Sequence, residues 1–207
     1  MSRDVACIVL AAGGSSRFGA SKQLEKLNGE TLIHRAVRAA YERELRSVVV
    51  VTGADSGKVA AAVSDYDAIV IRNHDWQSGL ASSIVTGLQQ LKNLSRVDGV
   101  LITLADQPLV DSSSLLKLLS VFDSTHRIVA AGYSDTIGVP VVIGREYVPD
   151  LMRLEGDRGA GQWLKSRQQD VTVVSMPEAS IDVDTVDDLH QLENGVRVSP
   201  TRSHGFS

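Results

Sequence analysis

Cysteine is almost missing from this sequence of 207 residues, in which Cys7 stands alone. A lone thiol cannot close an internal disulfide. With no second cysteine and no histidine pair at ligand spacing, a structural zinc site is excluded as well, and a reducing cytoplasm is the expected location. Long hydrophobic runs are the second absence. Stretches such as 48–51 and 139–143 fall far short of the roughly 18 residues a spanning helix needs, so neither a membrane anchor nor a signal peptide is expected. The third absence is a surplus of positive charge: 21 Lys and Arg stand against 25 Asp and Glu, a net charge of −4. Nucleic-acid affinity comes from a basic face, so nucleic acid is excluded as a partner and any polyanionic ligand must be met locally. Catalytic histidine is missing too. His34, His74, His126, His190 and His204 sit beside no evident nucleophile, and only His74 lies near a motif.

What is present is an ordinary globular composition, 43% hydrophobic and 22% charged, without repeat, low-complexity stretch or dividing linker. The length suits one domain, residues 1–195, followed by an aperiodic tail, 196–207. Strand-like runs occur at 5–10, 47–51, 68–71, 99–104, 128–131, 139–143 and 171–174. Several are apolar throughout, as befits strands covered on both faces. Cys7 lies in the first of them, where a buried structural thiol is expected. Helical spacing appears at 31–44 (Leu32, Ala36, Ala39, Ala40), 81–91 (Ile84, Leu88, Leu91) and 112–122 (Leu115, Leu118, Leu119, Phe122), and helices are also expected at 160–167 and 186–193. This alternation predicts a three-layer α/β/α domain around a mostly parallel, Rossmann-like sheet.

The first strand runs into Leu10-Ala11-Ala12-Gly13-Gly14-Ser15-Ser16-Arg17-Phe18-Gly19-Ala20-Ser21-Lys22. Glycine backbone amides can ring a phosphate, and Arg17 and Lys22 supply the charge a nucleoside triphosphate needs. The dinucleotide fingerprint is excluded, because Gly13, Gly14 and Gly19 do not have its spacing. A Walker loop is excluded as well, because its lysine must follow the second glycine directly, whereas Lys22 comes three positions after Gly19.

The strand 99–104 leads into Ala105-Asp106-Gln107-Pro108, placing Asp106 at the carboxyl edge where ligands of open α/β sheets collect. There it can hold Mg²⁺ beside a triphosphate, or it caps the turn before Pro108. Later, Asp182-Val183-Asp184-Thr185 sets two carboxylates two residues apart, on one face if extended. Either completes a metal site, or the segment, with Asp187 and Asp188, caps a helix. The stretch Asn73-His74-Asp75-Trp76-Gln77-Ser78-Gly79-Leu80-Ala81-Ser82-Ser83-Ile84 opens a helix where Gly79, Ser82 and Ser83 can read a base or bind an anion, or it is a simple capped turn with Trp76 as a packing anchor.

The first loop matches Leu-Ala-Ala-Gly-x-Ser-x-Arg-x-Gly-x-x-Lys at every fixed position and resembles the signature of the MobA-like nucleotidyltransferases. Leu104-Ala-Asp-Gln-Pro108 and Asp182-Val-Asp-Thr185 are similar to that family's metal motif and its late acidic motif, although Val186 stands where a proline usually follows. The segment 73–84, with Gly138-Val139-Pro140-Val141 and Leu154-Glu155-Gly156-Asp157-Arg158-Gly159-Ala160, resembles the molybdenum cofactor cytidylyltransferase branch; Gly161 replaces its usual arginine. The resemblance covers about residues 5–193. It implies a sheet of the nucleotidyltransferase, GT-A-like type and transfer of CMP from CTP to the terminal phosphate of the pterin cofactor, molybdopterin, with release of pyrophosphate. It further implies nucleotide contacts from the residues Leu10 to Arg17, excepting none, and from Lys22, Gly79, Ser83 and Asp106. Arg17, Lys22 and Asp106 would carry catalysis, and Mg²⁺ would sit on Asp106 and Asp184. Gly138, Pro140, Gly156, Asp157 and Asp182 would face the acceptor, and a molybdenum hydroxylase would receive the product. Two other readings stay open: a nucleotidyltransferase for another phosphate or alcohol acceptor, and an NAD(P)H-dependent oxidoreductase, since nicotine blue oxidoreductase also resembles this branch.

Overall fold

The structure is a computed structural model that describes residues 4–13, 21–43, 45, 47–91, 97–156 and 160–195. The expected tail lies outside them. The strands are β1 (Val5–Ala11), β2 (Lys26–Leu27), β3 (Glu30–Thr31), β4 (Val48–Thr52), β5 (Ile69–Arg72), β6 (Gly99–Leu104), β7 (Ile128–Tyr133), β8 (Thr136–Gly144) and β9 (Val171–Ser175). The helices are α1 (Leu32–Tyr41), α2 (Ser56–Ala62), α3 (Leu80–Leu91), α4 (Ser112–Val121), α5 (Val148–Leu151), α6 (Ala160–Lys165) and α7 (Val186–Glu193). Seven strands form one sheet in the order β5, β4, β1, β6, β8, β7, β9, and β2 pairs with β3 in a separate hairpin.

Only β8 opposes the common direction, antiparallel to both β6 and β7. Its reversal follows from the turn Ser134–Asp135, where both residues have positive φ, 46° and 58°, the backbone of a tight hairpin connection. All seven expected sheet strands are present. The hairpin strands, α2 and α5 were not legible, because two-residue strands and one- or two-turn helices are too short to display a period. Helix α1 also stops at Tyr41, short of the expected 44, a position outside the described residues.

Side chains of β1 alternate between two cores, as a strand's period of two requires. Val5, Cys7, Val9 and Ala11 join Ile33 and Val37 of α1, Val59 of α2 and Leu115 and Leu118 of α4. Ala6, Ile8 and Leu10 join Ile84 and Leu88 of α3, Leu151 of α5 and Leu164 of α6. The sandwich is therefore three-layered, as its alternating sequence predicts. Cys7 is fully buried, and burial pushes its thiol far above the usual range, so it is packing material rather than a nucleophile.

From β1 the sheet extends through β4 to β5 on one side, and the chain then returns to lay β6 on the other. That reversal opens a crevice outside the carboxyl ends of the central strands. The pairings of Leu10 with Leu104 and of Ala11 with Thr52 bring Ala12, Gly53 and Ala105 out at this one edge.

The β2–β3 hairpin is tied to α1 by Glu30, which accepts from His34 Nδ1 (2.7 Å), Arg38 Nε (2.9 Å) and Arg35 Nη1 (3.3 Å). The Arg38 bonds outweigh partial burial, with His34 adding to them, and hold the Glu30 carboxyl down at about 2. A lowered carboxyl stabilises the fold above the ordinary glutamate range and loses that contribution as pH falls toward 2. On this half-exposed face water screens the pairs, so Glu30→Gln is expected to cost about 1 kcal/mol at pH 7. Urea denaturation at pH 7 and at pH 3 checks this: the gap between parent and variant narrows at the lower pH.

Candidate active site

Backbone bonds first bring the strand ends together. The Ala105 amide donates to the Leu10 carbonyl (3.1 Å), and the Val183 amide donates to the Asp106 carbonyl (2.9 Å). Gln107, buried, donates from Nε2 to the Ala179 carbonyl (2.8 Å). The late acidic segment is thereby stitched beside the end of β6. On the other side, Gln23 Nε2 donates to the Gly13 carbonyl (3.2 Å) and the Ser21 hydroxyl donates to Asp55. These two bonds return the chain over the end of β1 after the glycine-rich loop and set the short turn Lys22–Leu24.

Lys22 then projects between two carboxylates. Its Nζ lies 2.7 Å from Asp106 Oδ2 and 3.0 Å from Asp184 Oδ1, although these residues are 84 and 162 positions away in the chain. The three side chains are only 10%, 26% and 15% exposed. Burial opposes the lysine charge, but Asp106 and then Asp184 outweigh it and hold Lys22 above the ordinary lysine range. Asp182 joins the same cluster. Burial, followed by the charges of Asp106 and Asp184, pushes its carboxyl up to about 7, with Lys22 and a Gln107 hydrogen bond pulling the other way. Three carboxylates crowd around one ammonium, and one of them resists ionisation.

The capping reading of the late segment holds for Thr185 and leaves the Asp184 side chain out of the cap. Thr185 caps α7, accepting from the Asp188 amide, while Asp188 Oδ2 accepts from the Thr185 and Asp184 amides. The Asp184 carboxylate is left to face Lys22. The Asp106 carboxylate also turns to Lys22 instead of capping the turn at Pro108.

These residues fit a hard divalent cation. A cation, the Lys22 ammonium, already sits within 3.0 Å of both carboxylates, and Asp106 Oδ1 is buried without a hydrogen-bond partner among the described residues. Such an orphaned oxygen is costly unless something positive meets it. Two carboxylates, with the other positions left to phosphate oxygens and water, are the usual protein share of a Mg²⁺ site at a nucleotide.

A family model described as a MobA-like NTP transferase domain matches residues 7–172. The chain belongs to the MobA-like NTP transferases. Nicotine blue oxidoreductase of Paenarthrobacter nicotinovorans is 30% identical to it over 203 residues, 91% of this chain and 98% of that protein. The purine catabolism protein PucB of Bacillus subtilis (strain 168) is 25% identical over 187 residues, 87% of this chain and 90% of PucB. Among solved structures, Rv0371c from Mycobacterium tuberculosis H37Rv superposes with a TM-score of 0.80 at 27% identity, covering 94% of this chain and 100% of Rv0371c. A manganese complex of Rv0371c superposes with a TM-score of 0.77 at 26% identity, covering 93% and 100%.

In this MobA-like transferase the remaining motif residues fall into three groups. Leu10, Ala11 and Ala12 are buried and leave only their main chain to a ligand, Gly13 is exposed, and Gly14, Ser15, Ser16 and Arg17 lie outside the described residues. Gly79 adopts φ 111° and ψ 176°, a conformation side chains avoid, and so turns the chain into α3. Ser83 is buried, its Oγ accepting from Asn73 Nδ2 at 3.0 Å, which makes it first of all a fastening of that turn. Of the residues expected to face an acceptor, Gly138 lies against the Tyr133 hydroxyl, which would be 2.6 Å from any Cβ there. Pro140 is buried within β8, and the intervening Val139 carbonyl faces Gln107 Nε2 at 3.4 Å. The Gly138–Pro140 motif thus borders the carboxylates. Gly156, with Arg153, Leu154 and Glu155, lines a cavity of about 480 Å³; Asp157 lies outside the described residues.

Four residues of the site escape sequence reasoning: Gln23, Asn73, Gln107 and Tyr133. Each acts through a bond or contact to a distant segment, and buried amides carry no spacing signal of their own. Gln107 and Asn73 stood inside motifs, which is the only hint available.

Proposed function

We propose that the chain transfers CMP from CTP to the terminal phosphate of molybdopterin, releasing pyrophosphate, in a reducing cytoplasm. The observation that carries a nucleotidyl transfer is the convergence of Asp106 and Asp184 on one cation position at the edge where β1 ends. A buried carboxylate pair around a cation suits the handling of phosphate charge. The pterin acceptor and CTP rest on the resemblance of segments 73–84, 138–141 and 154–160 to the cytidylyltransferase branch.

An oxygen of the acceptor phosphate attacks the α-phosphorus of CTP. One P–O bond forms as the bond to the bridging oxygen of the β-phosphate breaks, and pyrophosphate leaves with the electron pair. The nucleophile is already an anion, so no general base is needed, in keeping with the lack of a catalytic histidine. Asp106 and Asp184 would hold Mg²⁺, which when bound neutralises phosphate charge and aligns the two phosphates. Lys22 and Arg17 stabilise the charge accumulating on the leaving pyrophosphate. Gln107 keeps the late acidic segment against β6, so that alignment, the main source of rate here, is built into the fold. Asp182, beside Tyr133 and Gln107, marks where the acceptor enters, and the product would pass to a molybdenum hydroxylase.

Pyrophosphate release from each of the four ribonucleoside triphosphates with Mg²⁺, with and without molybdenum cofactor, tests this reading. Release with CTP that requires the cofactor is expected. Release with another acceptor and no dependence on cofactor would replace the acceptor, and no release with any nucleotide would overturn the transferase reading. The near full-length likeness to nicotine blue oxidoreductase supports a second reading, for which NAD(P)H oxidation without CTP is the assay.

A further inference from the structure

We infer that the indole of Trp76 is the platform on which the nucleotide base stacks, and that Gly53 is the spacer that lets it lie there; this rests on the nucleotidyltransferase reading above. The two tryptophans of the chain behave differently. Trp163 is buried in the core beside α3 and β8, whereas Trp76 is half-buried and belongs to neither main core cluster of the described residues. An indole carries a large apolar face, and part of that of Trp76 stays outside the core.

Its surroundings are those of the nucleotide edge. A Cβ built on Gly53 would lie 3.1 and 3.2 Å from Trp76 Cγ and Cδ2 and 3.0 Å from the Ala12 carbonyl oxygen. The indole therefore rests against Gly53, which rests against Ala12, the residue that opens the glycine-rich loop. Gly53 is not in the left-handed region, so space, not backbone angle, excludes a side chain there. The segment bearing Trp76 is fastened in place. Asn73, buried, donates from Nδ2 to Ser82 Oγ (2.8 Å) and Ser83 Oγ (3.0 Å), and its Oδ1 accepts from the Asp75 amide (2.9 Å). The Asn73 amide donates to the Thr52 carbonyl (2.8 Å), one residue before Gly53. This bracing of an aromatic ring beside Gly53 and Ala12 leaves little ordering to be done when a base arrives.

Stacking engages the π-face that every base has, so it adds affinity without choosing among bases. Trp76→Leu is accordingly expected to raise KM for CTP about 10- to 100-fold, to change kcat less than about threefold, and to leave the CTP-to-GTP ratio of kcat/KM as it was. Trp76→Phe recovers most of the loss. Gly53→Ala, which displaces the indole, reproduces the KM increase. Intrinsic fluorescence supplies the direct readout: saturating CTP with Mg²⁺ changes the emission of the parent, and the change disappears in Trp76→Leu. An unchanged KM in Trp76→Leu, or an unaltered parent emission while calorimetry shows CTP bound, overturns this inference and leaves the transferase reading standing. Absence of nucleotide binding by calorimetry, together with absence of pyrophosphate release, overturns both.

Discussion

Asp106→Asn is expected to lower pyrophosphate release at least about a thousandfold, the scale on which removal of a group that stabilises transition-state charge acts. The substitution keeps the shape of the side chain and its buried position but removes the charge facing Lys22 at 2.7 Å. Folding should not suffer in proportion. Lys22 retains Asp184 at 3.0 Å, and Asp182, whose proton is held partly by the charge of Asp106, is relieved of a repulsive neighbour. The thermal midpoint is therefore expected to stay within about 3 °C of the parent, equivalent to roughly 1 kcal/mol in a domain of this size. Paired measurements of pyrophosphate release and thermal unfolding check both halves. A variant that loses activity only because it unfolds would show Asp106 to be part of the scaffold alone.

Lys22→Met has the second large effect, and here both quantities should move. The substitution leaves Asp106, Asp182 and Asp184 clustered with no ammonium between them. Removing one partner of a buried ion pair costs about 3–5 kcal/mol, because the remaining charge is uncompensated, and the thermal midpoint should fall by about 10 °C in EDTA. Turnover is expected to fall about 10²- to 10³-fold, since the charge that meets the leaving pyrophosphate has gone. Millimolar Mg²⁺ or Mn²⁺ should restore a good part of the lost stability in the variant and little in the parent, because in the nucleotide-free parent the Lys22 ammonium already compensates both carboxylates. The pH dependence has a definite sign. Asp182, already up at about 7, stabilises the fold while protonated and loses that contribution as pH rises from about 4 through 7. Lys22 draws its value downward, so without Lys22 the deficit should be larger at pH 8 than at pH 5. Thermal scans at the two pH values, with EDTA and with Mg²⁺, distinguish these effects.

The thermal measurements do not depend on the identity of the acceptor, whereas the release measurements use whichever acceptor supports release in the parent. Both experiments bear on the oxidoreductase reading, under which pyrophosphate release is absent from the parent as well.

Some of this protein could be read from its residues in order. The apolar runs of β1, β4 and β6 are buried on both faces, and strands so placed carry few polar side chains, here Thr52 and Thr103, so the sheet announces itself. The spacing of glycines, Arg17 and Lys22 excluded the two commonest phosphate loops, since each demands its own backbone geometry. The position of Asp106 after an apolar strand put it at the carboxyl edge of the sheet, where the structure has it, because a residue that directly follows a buried strand emerges at that strand's carboxyl end.

Other features belonged to the tertiary structure alone. The reversal of β8 hangs on two residues, Ser134 and Asp135, whose positive φ no hydrophobic period reveals. Whether Asp184 caps a helix or faces a cation was decided by Thr185 and Asp188, which take the capping bonds between them. The role of Trp76 turns on Gly53, some twenty residues earlier, and the meeting of Lys22 with Asp106 and Asp184 spans most of the chain. Periodicity and motif spacing are local and report which face a residue takes and which backbone it can adopt. Distance between segments, and with it charge compensation and the sharing of a cation, exists only after the sheet has brought the strand ends to one edge.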